Sequence, residues 1–427
     1  MPTTARPVSV TVRSYRVGFG DCFLLMFDYP GRRRTRRVLI DFGTTGLPKH
    51  RSRKSMLEIA EHIAQSCEGR LDAIVATHRH MDHISGFDGR SFAPIAACNP
   101  RVVLQPWTED PKAAVDATGI TGSARRRALH VSMLGDMHRV AELALRELES
   151  GNPRRFSQTV RAQLAFLGED NLSNAGAVSN LIDLDARHVY AHYGSSAGLD
   201  RVLPGVRVHV LGPPTIEQSD AIRRQRHEDP AEFWHMQARA GRTSRASAPV
   251  LFPSARSTVN AIPFEARWIV PRLNSIRGDE FLEIVRILDK AMNNTSLILL
   301  FETGGKKLLF SGDAQIENWS YALRHAPDRS RVRRLLADVH FYKVGHHGSL
   351  NATPKSLWGL FDHRGEAGSP ERLRTVMSTM KGKHGSTRRN TEVPRRTLVE
   401  ALEAESDHFS TESLKRDRFY EDVVIKI

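Results

Sequence analysis

Alternation and short apolar runs divide this chain into strands and helices. Val8-Ser9-Val10-Thr11-Val12 alternates apolar and polar positions, the period of a half-buried strand. Cys22 to Phe27 and Val38 to Ile40 predict two more strands, joined through a basic hairpin tip, Gly31 to Arg37. Ser55 to Ser66 predicts an amphipathic helix, and the apolar run Leu71 to Ala76 a short buried strand. Val206 to Leu211 predicts a strand stopped by Pro213-Pro214. Strands are also expected at Asn293 to Leu299, Leu308 to Phe310 and from Tyr342. A helix around Pro354 to Phe361, a strand Thr375 to Thr379, a helix at about Arg395 to Glu403 and an edge strand Phe419 to Ile427 complete the frame. No internal repeat is evident in the residues.

The middle of the chain is read as inserted. From His83 to Asp313 there are 313 − 83 = 230 positions. Helical periodicity marks Arg125 to Glu149, Asn152 to Glu169 and Asp279 to Met292. Glu217 to Glu228 is helical and basic, with Arg223, Arg224 and Arg226. Arg239 to Thr258, rich in Ala, Arg, Ser, Thr and Pro, reads as a mobile loop that orders on a ligand.

Ligand-type residues gather where three predicted strands end. Thr77-His78-Arg79-His80-Met81-Asp82-His83 follows the Leu71 strand. Imidazole and carboxylate at this density suit a divalent cation and make poor core filler. Leu308-Leu309-Phe310-Ser311-Gly312-Asp313 ends in an aspartate, and Tyr342-Lys343-Val344-Gly345-His346-His347-Gly348-Ser349 ends in two histidines. Strand ends carrying such residues are how an α/β sheet builds a site along one edge.

Three further stretches complete the pattern: Val17-Gly18-Phe19-Gly20-Asp21, Val38-Leu39-Ile40-Asp41-Phe42-Gly43 and Asn293-Asn294-Thr295-Ser296-Leu297-Ile298-Leu299. With them the chain resembles the metallo-β-lactamase-fold hydrolases, most of all the hydrolase domain of bacterial competence (DNA-uptake) channel proteins. The resemblance runs over motifs from about Val17 to Ser349. It implies an α/β chain: an αββα sandwich of two mixed sheets with outer helices. It implies a single domain over 1–427, with largely helical insertions at about 110–205 and 215–285. Carried over by residue, it implies two divalent ions, manganese or zinc, with magnesium as a further candidate. His78 and His80 would hold the first and Asp82 and His83 the second. Asp313 would bridge them and His347 would complete the second site, with Asp82, His83 and Asp313 at the centre of catalysis. Many members of the fold have a histidine where this chain has Lys290 to Ser296. Its absence, a feature of the competence-type pattern, points to an oxygen-rich first site and hence to manganese.

Other residues keep two readings. Asp21 is a turn carboxylate or orients His78 or His80. Asn293 and Asn294 cap and turn the chain or, with Ser296, serve the site. Lys343 is a strand-edge charge or a site residue. His346 supports its neighbour or meets substrate, and His384 is on the surface or on a substrate-contacting loop.

Charge then narrows the substrate. Lys and Arg number 62 and Asp and Glu 48, a formal net charge of +14. Such a balance favours a polyanion through long-range attraction and counterion release. Beside a hydrolase-type site it points to a phosphodiesterase or nuclease acting on DNA. The competing expectations are a small-molecule hydrolase of a nucleotide, phosphocholine ester or lactone, and an interaction module that keeps metal for structure. A regulatory protein partner is expected, docking on the insertions. The cysteines, Cys22, Cys67 and Cys98, are odd in number and fit no zinc knuckle. No apolar signal core begins the chain and no run reaches the roughly 18 apolar residues of a membrane span. A cytoplasmic protein without membrane partners is the expectation.

Overall fold

The computed structural model describes residues 6–31, 34–48, 55–110, 174–215, 218–219, 293–349, 353–369, 371–383, 392–415 and 418–427. The expected helices at Arg125–Glu149, Asn152–Glu169, Glu217–Glu228 (save Gln218 and Ser219) and Asp279–Met292, the Arg239–Thr258 loop and His384 lie outside them.

Two mixed sheets form the framework. The first runs β13-β1-β2-β3-β4-β5-β6, from Tyr420–Lys426, Ser9–Tyr15, Cys22–Asp28, Arg36–Phe42, Ala73–Val75, Val102–Pro106 and Arg187–Ala191. The second runs β12-β11-β10-β9-β8-β7, from Asp407–Ser410, Arg374–Met377, Phe341–Lys343, Lys306–Phe310, Ile298–Thr303 and Arg207–Gly212. Each sheet begins as an antiparallel meander, β1-β2-β3 or β7-β8-β9. Each then continues in parallel strands, β3 to β6 or β9 to β12. The topology is therefore repeated although the residues are not. β13 closes the outer edge of the first sheet against β1.

Side-chain alternation explains the layering. Val10, Val12, Phe23, Leu25, Val38 and Ile40 of the first sheet meet Leu299, Phe301, Leu308, Phe310 and Phe341 of the second. Residues of opposite parity face helices. Leu24, Leu39, Ile74 and Val103 pack on α1 (Met56–Ser66), α3 (Gly89–Ala96) and α4 (Ala175–Asp183). Ile298, Leu300, Leu309 and Tyr342 pack on α5 (Ile316–Ser320), α6 (Arg329–Ala337), α7 (Lys355–Trp358) and α8 (Arg396–Glu405). The short helix α2 (Met81–Ile84) carries the ligand loop. The protein is thus α/β, two mixed sheets between helical layers.

Several sequence expectations need adjustment. The Leu71 strand shortens to Ala73–Val75. β5, β6 and β12 had no expected counterpart. α4 and β6 fall inside the expected 110–205 insertion, yet β6 is hydrogen-bonded to β5 and α4 packs on the first sheet. The described part of that segment belongs to the sandwich. One parallel partner, β5, supplies the ladder that the polar sequence Arg187-His188-Val189-Tyr190-Ala191 does not advertise.

Candidate metal centre

The expected ligands meet where the strands β3, β4, β9 and β10 end. Asp82, His83, Asp313 and His347 each offer a donor atom within 4.8 Å of the others. His78, His80 and Asp82 form a second such group. Asp82 is common to both, whereas the resemblance gave the bridging position to Asp313. All six side chains are buried. His78 Nε2, Asp82 Oδ1, His83 Nε2 and Asp313 Oδ2 have no hydrogen-bond partner among the described residues. Buried groups of this kind are costly unless something satisfies them. This donor set of imidazole nitrogen and carboxylate oxygen fits divalent cations.

The backbone is forced into this arrangement. Asp41, His346 and His347 have φ of 55°, 40° and 52°. L-residues seldom occupy this region, at a cost of about 1–3 kcal/mol each unless the surroundings impose it. Close backbone packing imposes it here. A Cβ on Gly43 would lie 2.5 Å from the backbone of Asp82 and His83, and one on Gly20 would lie 2.2 Å from the Gly43 carbonyl oxygen. Only glycine lets the Gly20-Asp21 and Phe42-Gly43 loops come so near the ligand loop. The Asp21 N–H donates to the Asp82 carbonyl at 2.8 Å and locks the approach. On its far side, Arg79 donates to buried Glu109 through Nε at 2.9 and 3.0 Å, and Asn174 Nδ2 donates to the Arg79 carbonyl at 2.9 Å.

His83 and His347 are each aimed by a neighbour. Asp41 Oδ2 lies 2.8 Å from His83 Nδ1, so His83 Nε2 faces Asp313 Oδ1 at 3.1 Å. Asp41 is itself fixed by the Thr77 N–H at 2.7 Å and Thr77 Oγ1 at 2.8 Å. His347 Nδ1 meets the Ser378 carbonyl at 2.8 Å, which turns Nε2 to Asp82 Oδ2 at 2.7 Å. Carboxylates and carbonyls on the second ring nitrogen are how metal-binding histidines are oriented. Asp41 and Ser378 were not among the sequence candidates. The apolar strand ending in Asp41-Phe42-Gly43 held the signal for Asp41; nothing local marked Ser378.

The two-way candidates also resolve into contacts. Asp21 stands 3.7 Å from His83 Nδ1 and 3.7 Å from His347 Nδ1. It therefore faces those two histidines, where His78 or His80 was expected. Lys343 is no strand-edge charge. Its Nζ ion-pairs with Asp21 and lies 3.9 Å from Asp313 Oδ1, in full burial. Parallel neighbours on both sides put β10 in the sheet interior. Ser296 Oγ accepts the Asp313 N–H at 3.2 Å, and the His346 N–H donates to Asp313 Oδ1 at 3.1 Å. His346 Nε2 is 3.7 Å from Asp313 Oδ2 with its ring partly exposed, at the rim. Asn293 is buried with neither amide atom hydrogen-bonded among the described residues, and the Asn294 carbonyl accepts from Asn318.

Charge in the site is unbalanced. Four buried carboxylates, Asp21, Asp41, Asp82 and Asp313, surround one buried ammonium, Lys343. Burial alone would raise Asp82 and Asp313, but His83 above all holds both below the ordinary carboxylate value. Burial likewise opposes charge on His83 and His347, yet the surrounding carboxylates raise both. Burial and the nearby imidazoles lower His78, so it is a neutral, ligand-ready ring. Burial raises Asp41 against the pull of His83. The carboxylates draw positive charge into the site, the electrostatic condition for holding divalent cations.

No protein-family model matches this chain. No curated protein matches it. Among the described residues no helix is long and apolar enough to cross a membrane.

Proposed function

We propose that this chain is a metallo-β-lactamase-fold hydrolase that cleaves phosphodiesters, with DNA as its substrate. The observation that carries the reading is the pair of donor groups sharing Asp82 at the ends of strands from both sheets. Two divalent cations held there would supply an acidified water as nucleophile and a counter-charge for a phosphoryl oxygen. His78, His80 and Asp82 hold one position; Asp82, His83, Asp313 and His347 hold the other. Asp41 keeps His83 in the tautomer that presents Nε2. The site offers no histidine at Asn293, so the first position has fewer protein donors and leaves room for water oxygens, which suits manganese.

The rim supports an anionic substrate. Lys381 and Lys383 are exposed on the turn after β11. Lys383 reaches Gly46: a Cβ there would lie 3.3 Å from its Nζ. Gly46 pairs with Phe19, whose ring centroid is 4.2 Å from that of His347. The cationic tip therefore stands beside the cluster. It would hold a phosphate next to the cleaved bond, and the +14 chain would gather a polyanion around it.

Purified protein incubated with supercoiled plasmid and single-stranded oligonucleotide tests this. Cleavage is expected with manganese, is lost in EDTA and weakens steeply as salt rises. Cleavage that survives excess EDTA overturns the reading. Inert DNA with turnover of a small phosphodiester would replace the substrate and leave the reaction.

Asp41→Ala tests the aiming of His83. Metal affinity is expected to fall about 10–100-fold, the usual cost of losing a ligand's carboxylate partner. Calorimetric titration with manganese reads it. Unchanged affinity would show that Asp41 serves the backbone alone.

A further inference from the structure

A second cluster of ligand-type side chains lies at the opposite end of β10. Asp338 follows α6, His340 precedes β10, and His363 follows α7. One donor atom from each lies within 4.8 Å of the other two. His363 Nε2 is 2.9 Å from Asp338 Oδ1, and the two imidazole rings are 4.1 Å apart between centroids. Glu371 reaches in from the loop before β11, its Oε2 3.2 Å from His340 Nε2. His340 Nδ1 is buried with no hydrogen-bond partner among the described residues.

The backbone sets this geometry. The His340 N–H donates to the Lys307 carbonyl at 2.9 Å, and the Arg374 N–H donates to the His340 carbonyl at 3.0 Å. The Leu373 N–H donates to the His363 carbonyl at 2.7 Å. His340 thus stands at the entry of β10, and the His363 main chain is tied to the residue before β11. Burial and the neighbouring His363 and Lys306 lower His340 to about 4, which leaves its ring neutral near pH 7.

We propose that Asp338, His340 and His363, with Glu371 beside the His340 ring, bind a divalent transition cation of the zinc class, apart from the first centre. Two imidazole nitrogens with one or two carboxylates are a borderline-metal donor set. The ordinary alternative is a self-contained ion-pair network, because Lys307 pairs with Asp338 and Lys306 with Glu371. That network pairs the carboxylates. It gives no partner to His340 Nδ1 among the described residues and no cause for bringing two imidazole rings to 4.1 Å of each other. Lys306 is partly exposed and can turn to solvent, and competition from the two lysines makes the affinity moderate and the site selective for nitrogen-seeking ions. A bound cation would tie the entries of β10 and β11 together.

Zinc content after equilibrium dialysis, with a thermal-shift titration alongside, tests the site in the full chain. In an Asp82→Ala, Asp313→Ala background one zinc equivalent should remain and raise the melting temperature. Adding His340→Ala and His363→Ala should remove both effects. In the otherwise unchanged chain, the two histidine substitutions should lower zinc by one equivalent and leave manganese-dependent cleavage as it was. The proposal is overturned if the equivalent survives the histidine substitutions, or if none binds in the Asp82, Asp313 background and the histidine substitutions leave the unchanged chain's zinc content as it was. Failure of the DNA-cleaving reading would leave this zinc count untouched.

Discussion

Asp82→Ala is expected to abolish metal-dependent cleavage, with a loss on the order of 10³-fold or more. Asp82 is the carboxylate common to both donor groups, so its removal thins both positions at once. Losing His80 would thin only one. The same change deprives His347 Nε2 of its 2.7 Å partner. Bound manganese, measured by elemental analysis after dialysis, should fall well below wild type. Asp82→Asn serves as the companion variant: it keeps the shape and one carbonyl oxygen but removes the charge, and should lie between. If Asp82→Ala kept its manganese and its rate, the shared-ligand arrangement would be wrong, and Asp313 would be the next residue to test. Far-ultraviolet circular dichroism on each variant separates lost chemistry from lost fold.

The six candidate ligands are readable because each group sits just after an apolar run that announces a strand. His78-Arg79-His80-Met81-Asp82-His83 is local, and its spacing carries the chemistry without tertiary information. Asp313 and His347 are remote in sequence but follow the same rule, strand then ligand. What could not be read is whatever depends on which strand lies next to which. Asp41 looked like one more strand-ending aspartate until β3 was found beside β4, where Thr77 and His83 reach it. Ser378 acts through a main-chain carbonyl, which no residue type reveals. β6 and β12 are short or polar, and β5 ran unnoticed into Trp107, because ladder partners stabilise them more than their own patterns do.

The doubled topology gives the site a simple logic. β3 ends in Asp41 and β9 leads to Asp313; β4 feeds the His78 loop and β10 the His346-His347 turn. Equivalent strands of the two halves present their ends to one another. The group Asp82, His83, Asp313 and His347 draws donors from both halves, whereas His78, His80 and Asp82 all come from the first. A cation held by the mixed group would therefore depend on the two sheets keeping their relative position, and groups that clamp one half to the other should matter to stability and to chemistry together. Lys343 is the clearest of these.

Lys343→Met is expected to destabilise the fold by about 3–5 kcal/mol, the usual cost of breaking a buried ion pair by removing one partner. Methionine keeps much of the side-chain volume and removes the charge. Lys343 stands on the second sheet and pairs with Asp21, on the loop between β1 and β2 of the first. Burial opposes its charge, but Asp21 and Asp313 outweigh burial and hold its pKa above the ordinary lysine value. Without the ammonium, Asp21 is left among Asp41, Asp82 and Asp313 with no buried side-chain ammonium beside it. The sign can be checked by a double-mutant cycle in urea unfolding. Asp21→Asn with Lys343→Met should recover part of the loss, because the stranded charge has gone. Additive losses would mean that the two residues stabilise the fold separately. Added manganese should narrow the gap between Lys343→Met and wild type, since a cation in the site restores positive charge beside the same carboxylates. A variant as stable as wild type without metal would show that the clamp between the sheets is apolar packing alone.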